Sequence, residues 1–215
     1  MGDPCFNRLC YIAKINEKQL SQDSIEREIN NWTNTVCMNQ ENMGEGGMSE
    51  YNGFAVVLGP WIVHLFEADT PLMTTFVKKL QEKNNEDGSY YQNIWVLHYT
   101  EDVPTRAYPT WTCKNVPSKD ATREIKSLPP FEKTLTIYDG MVQIGNEAMS
   151  MKDESKLQST LKNGACQYIP CGEELASVID SDTFTLDEWI EYAYDTPDIC
   201  LEKEMQWPDE PDLIY

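Results

Sequence analysis

Basic residues are scarce in this 215-residue chain: 17 Lys and Arg stand against 36 Asp and Glu, a formal net charge of −19. Nucleic acids and anionic membranes both reward clustered Lys and Arg, so neither is an expected partner. Histidine is scarcer still, with only His64 and His98. The cysteines are Cys5, Cys10, Cys37, Cys113, Cys166, Cys171 and Cys200, and no two form a Cys-x-x-Cys pair. Zinc needs four clustered N or S ligands, so the thiols read as buried and unligated, and no metal is expected. No apolar run nears the roughly 20 residues that span a bilayer. The opening MGDPCFNRLC lacks a basic segment followed by an apolar one, and Phe6 breaks the myristoylation pattern. A soluble, cytoplasmic protein is the expectation. Phosphate-cradling and nucleophile-elbow motifs are missing too: Gly44, Gly46 and Gly47 do not sit between a strand and a helix at the required spacing, and there is no Gly-x-Ser-x-Gly.

What is present is a globular balance of 40% hydrophobic and 25% charged residues. Phe6 to Ile15 is apolar and reads as a strand. Ser21 can cap a helix with Ile25, Ile29, Trp32 and Val36 on its apolar face. A polar stretch with Gly and Met, from Asn39 to Glu50, reads as an insertion. Gly53 to Leu58 and Trp61 to Glu67 read as strands joined by a Gly59-Pro60 turn. Asp69 or Thr70 can cap a second helix, with Pro71 in its first turn and an apolar stripe of Leu72, Phe76 and Leu80. Ile94 to Tyr99 reads as a fourth strand. The order β-α-β-β-α-β is the ferredoxin-like arrangement, an α+β fold with two helices on one face of an antiparallel sheet.

The chain divides into a domain over 1–116 and an extension over 117–215, with Pro129-Pro130 at a boundary or linker. In the extension, Leu135 to Ile144 reads as extended and Ser155 to Leu161 as a weak helix. Glu173 to Ile179 reads as a helix with acids in its first turn, and Thr185 to Glu188 as a capping box before Trp189. Trp189 and Trp207 are expected to anchor the extension, and Pro208 and Pro211 to keep the last segment extended. From Glu173 onward Lys203 is the only basic residue, so this region suits a basic partner surface.

Catalytic candidates are few. His64-Leu65-Phe66-Glu67 lies in a strand, which sends His64 and Glu67 to opposite faces. Neither histidine has a nucleophile partner identifiable in sequence, so no enzyme activity is expected.

Five fragments in order carry a resemblance. Arg106 to Cys113 (RAYPTWTC) looks like the Arg-x-Phe-x-x-Trp-x-Met segment of BLUF domains, a family of flavin photoreceptors. Val63 to Glu67 is similar to their Gln-x-Leu-Glu strand, Tyr51-Asn52-Gly53 to a Thr-Gly strand start, and Arg8 to Ile12 to the first strand with its tyrosine. Asn30-Asn31 resembles the Asn pair that closes their first helix. The resemblance implies flavin-pocket positions at Tyr11, Asn31, His64, Trp111 and Cys113. The photoreceptor glutamine is His64 here and the methionine is Cys113. An imidazole cannot offer donor and acceptor as an amide does. No cofactor is therefore expected at these vestigial positions; a retained flavin, or a nucleotide, in a sensor of altered chemistry is the alternative. Leu9 to Ile15, the His64 strand and the Trp-Pro tail also resemble the family of testis-expressed protein forty-seven. That resemblance implies a non-enzymatic structural or interaction subunit of a motile cilium or flagellum axoneme, with other axonemal proteins as partners; a homodimer is a further alternative.

Overall fold

The computed structural model describes residues 5–16, 22–38, 50–117, 125–150, 167–179 and 183–194. Its strands are β1 (Phe6–Ile15), β2 (Asn52–Leu58), β3 (Trp61–Ala68), β4 (Tyr91–Val103) and β5 (Trp111–Asn115). The helices are α1 (Gln22–Met38), α2 (Thr70–Asn85), α3 (Pro130–Ser150), α4 (Gly172–Ile179) and α5 (Leu186–Tyr194). One sheet forms in the order β4-β1-β3-β2-β5. Its first four strands pair antiparallel, and with α1 and α2 they make the expected ferredoxin-like unit. The fifth strand corrects the expectation of a purely antiparallel sheet, since β5 lies parallel to β2. The chain reaches it only after β3, α2 and β4, and such a long crossover is what parallel pairing requires.

α1 buries Ile25, Ile29 and Val36, the stripe its sequence spacing predicts. It continues past Asn30-Asn31 to Met38, so that pair does not close it. At α2, Asp69 caps, its Oδ1 accepting from the Leu72 amide at 3.0 Å. Both helices lie on one face, over Leu9, Tyr11, Phe66 and Val96. α5 joins that face at the β4 edge. Its capping box is formed: the Thr185 amide donates to Glu188 Oε2 at 2.8 Å, and the Glu188 amide donates to Thr185 Oγ1 at 3.3 Å. Trp189 is buried, its ring 5.0 Å from that of Tyr99.

The opposite face is covered by α3 and α4 through Ile137, Met141, Ile144, Leu175 and Val178. Covering on both faces explains why β2 and β3 are buried along their whole length and not at alternate residues. α3 overturns the extended reading of Leu135 to Ile144. Thr134, Thr136, Ile137 and Val142 have strand-like composition, but Ile137, Met141 and Ile144 fall on one helical face. Pro130 starts this helix, where a missing amide costs nothing. The Ser155 to Leu161 helix, residues 39–49 of the Asn39 to Glu50 insertion, the expected Ser21 cap, Cys166, Cys200, Trp207, Pro208 and Pro211 fall outside the described residues.

Two glycines are fixed by close approach. Gly53 has φ +139°, and a Cβ there would sit 2.1 Å from the Leu65 carbonyl oxygen. A Cβ on Gly145 of α3 would sit 2.5 Å from the Ala107 carbonyl oxygen. Gly145→Val is expected to cost about 2–3 kcal/mol through overpacking, read as a lower urea midpoint; a loss under about 0.5 kcal/mol would mean that α3 does not sit this close.

Candidate functional site

The β1–β3 register sets Tyr11 opposite His64 at the centre of the sheet. Both side chains point toward α1 and α2, and the parallel β5 brings Trp111 alongside. His64 Nδ1 is 2.8 Å from the Tyr11 hydroxyl. On the other side of the ring, Trp111 Nε1 donates to His64 Nε2 at 2.9 Å. An indole nitrogen can only donate, so Nε2 accepts and the imidazole proton sits on Nδ1, directed at the Tyr11 oxygen. Burial with no carboxylate partner drives the imidazole pKa down to about 3, so the ring is neutral. Burial pushes the Tyr11 hydroxyl and the Cys113 thiol up, and both stay protonated. Beyond Tyr11, the hydroxyls of Tyr91 and Tyr90 are buried and close enough to interact electrostatically with it and with Cys113.

The structure thus brings together Tyr11, His64, Trp111 and Cys113. Asn31 stands apart, exposed on α1, with its carbonyl accepting from Thr35 Oγ1 at 2.7 Å. His98 lies elsewhere, its ring 4.1 Å from that of Tyr138 on α3.

Flavin is the cofactor that the resemblance implies for these positions, and the residues do not fit it. Tyr11 is 0% and His64 1% exposed. Four rings (Tyr11, Phe66, Phe76 and Trp111) surround the imidazole with centroids 5.1–5.9 Å away. Phe76 of α2 stacks on Phe66 at 3.9 Å, and Trp32 of α1 packs against Phe76 and Tyr91. A three-ring isoalloxazine presenting its edge to Tyr11 and His64 would have to expel Phe76 and Trp32. Both nitrogens of His64 are engaged, which leaves none to greet a ligand.

On the other face, Glu67 points away from His64, as strand alternation predicts. Its carboxylate accepts from the Ala107 amide at 3.0 Å and the Tyr108 amide at 3.2 Å, and pairs with Arg8 at 2.6 Å. Arg8 also donates to the Tyr138 hydroxyl of α3 at 3.2 Å and to the Thr105 carbonyl at 3.0 Å. Tyr108 closes the clasp by donating its hydroxyl proton to the Met141 carbonyl. Sequence reasoning missed this cluster. Its signal was two opposite charges, Arg8 and Glu67, in two mostly apolar strands, because such charges are buried only when paired.

Strand order, the appended fifth strand and the Tyr11–His64–Trp111 constellation define a ferredoxin-like domain in which three of the positions that resemble a BLUF pocket are bonded to one another. The sequence model of testis-expressed protein 47 matches residues 5–185, and the chain belongs to that family. No curated protein matches the chain. Among solved structures it is similar to a bacterial light-regulated adenylyl cyclase, with 18% identity and a TM-score of 0.40. The match covers 74% of this chain and 40% of the cyclase chain. It is also similar to BlrB, a BLUF protein in its dark state, with 14% identity, TM-score 0.40, and 73% and 98% of the two chains covered. Klebsiella pneumoniae BlrP1 with FMN and cyclic diGMP is a third, with 8% identity, TM-score 0.38, and 74% and 35% covered. No described helix is long and apolar enough to cross a membrane.

Proposed function

We propose that this protein is a non-enzymatic structural and interaction subunit of the motile cilium or flagellum, held in an axonemal assembly. The observation that carries the reading is the closed Tyr11–His64–Trp111 chain. The groups that would serve a flavin satisfy each other inside a packed aromatic core. A side chain so engaged can hold a shape, but it has no access to a substrate. Membership of a testis-expressed family supports a place in flagellated cells. The acidic α4 and α5, with Glu173, Asp187, Glu188 and Glu191 and no basic residue, support a basic partner surface.

The test follows the protein by mass spectrometry as sperm flagella are extracted with detergent and then with high salt. Retention through detergent is the expected result. Complete release by detergent, or absence from flagella, would remove the axonemal reading. If salt releases the retained protein, charge contributes to its attachment, since exposed ion pairs are screened within about 10 Å at 0.1 M salt.

A further inference from the structure

Beside the closed chain lies a cavity of about 350 Å³. Tyr51, Asn52, Pro109, Thr110 and Trp111 form its wall, and Arg106 is the one basic residue lining it among the described residues. Unusual effort goes into fixing that guanidinium. Its central carbon lies 3.9 Å from the centre of the Phe6 ring, a cation–π stack. One edge donates to Asn52 Oδ1. Asn52 is only 4% exposed, and its other amide atom is spent on the Tyr108 carbonyl at 2.9 Å. A buried amide is thus committed at both ends to holding an arginine whose side chain is 17% exposed.

The only carboxylate paired with Arg106 among the described residues is Glu50, at 3.1 Å from Nη1 and on a side chain 77% exposed. So exposed a partner contributes little and is easily displaced. It also shows that the spot accepts a carboxylate. Tyr51 and Trp111 stand 6.4 Å apart beside it, tilted at 49°, as an apolar wall. Tyr51 is itself anchored to α1, donating its hydroxyl proton to Asn34 Oδ1 at 2.7 Å.

We infer that this cavity is a binding site for an organic carboxylate carried on an apolar body of about the size of one aromatic side chain. The carboxylate replaces Glu50 on Arg106, and the body lies against Tyr51 and Trp111. The cavity volume is near the low end of small-ligand sites, about 300–1,000 Å³. The same chemistry comes from a free aromatic acid or from an acidic-aromatic peptide. The inference does not depend on the axonemal reading.

The test is an NMR titration of the full chain, observing the Trp111 indole N–H and the Arg106 Nε–H. The probes are N-acetylphenylalanine, its neutral amide N-acetylphenylalaninamide, inorganic phosphate, and a peptide carrying Asp beside Phe. Saturable shifts of both signals with the acid or the peptide, and none with the amide, are expected; the tighter of the two identifies the source. Arg106→Gln is expected to weaken binding about tenfold through loss of a charge-assisted pair. Glu50→Gln is expected to tighten it about two- to fivefold by removing the competitor. The Glu50 side chain is 77% exposed, so its variant folds and reports even if Arg106→Gln fails to fold. Equal binding of the amide, displacement by phosphate as effective as by the acid, or no gain with Glu50→Gln would each overturn the assignment.

Discussion

Glu67→Gln is expected to cost about 3–5 kcal/mol of folding stability. The reason is the fate of Arg8. Its side chain is 9% exposed and its partner's is 1% exposed, so the guanidinium keeps its charge and loses its counter-charge in a site poor in water. The amides of Ala107 and Tyr108 lose a carboxylate acceptor in the same step. An exposed pair gives the control. Lys79 and Glu82 are 50% and 64% exposed, and Glu82→Gln should cost no more than about 1 kcal/mol. Replacing both buried partners, as Arg8→Met with Glu67→Leu, should recover only part of the loss, because the two loop amides remain without an acceptor. Urea unfolding measures all three. Hydrogen exchange should show faster opening of residues 105–108 and α3, since Arg8 holds the Tyr138 hydroxyl. A loss below about 1 kcal/mol for Glu67→Gln would mean that the pair is solvated and that α3 is held by apolar contact alone.

Acid is expected to destabilise the native protein through His64. The imidazole titrates at about 3 in the folded chain against an ordinary 6.5. Between those values the unfolded chain binds a proton that the folded chain refuses. Stability is therefore complete above about pH 7 and falls as the pH drops, with a slope approaching about 1.4 kcal/mol per unit from this group. Many carboxylates also titrate below pH 5, so the informative quantity is a difference. His64→Gln keeps polar atoms for Tyr11 and Trp111 but cannot take a proton. On going from pH 7 to pH 4, the native protein should lose about 3 kcal/mol more than the variant. His98 is lowered in the same direction by partial burial, but it is present in both proteins and cancels. Equal pH profiles would show that His64 charges freely, which the closed chain forbids.

Much of the fold was legible because its signals are local. The α1 and α2 stripes, the Asp69 cap, the Gly59-Pro60 turn and the Thr185–Glu188 capping box each depend on residues a few positions apart. β5 was not legible. Trp111 to Asn115 is short, and its partner β2 lies nearly sixty residues earlier, Gly53 pairing with Trp111, so nothing local marks it as a strand. α3 was misread because its threonines and Ile137 favour strands in isolation, and only the packing of Ile137, Met141 and Ile144 on the sheet decides for a helix. For the site, the resemblance placed Tyr11, His64, Trp111 and Cys113 on elements that do converge. It placed Asn31 there too, yet α1 presents that residue to solvent. That Phe76 packs against His64, with Trp32 behind it, was beyond the sequence, since the same apolar stripe would serve equally to line a pocket.

The face around His64 is a closed core and not a flavin site. The decisive experiment incubates the purified chain with FMN and with FAD, passes it over a desalting column, and records the visible spectrum alongside the ¹⁵N signals of the His64 ring. The expected result is a colourless protein whose His64 keeps one protonated and one accepting nitrogen with unchanged shifts. Co-elution of flavin in a one-to-one ratio, with the His64 signals displaced, would contradict it and would show that Phe76 and Trp32 can make way.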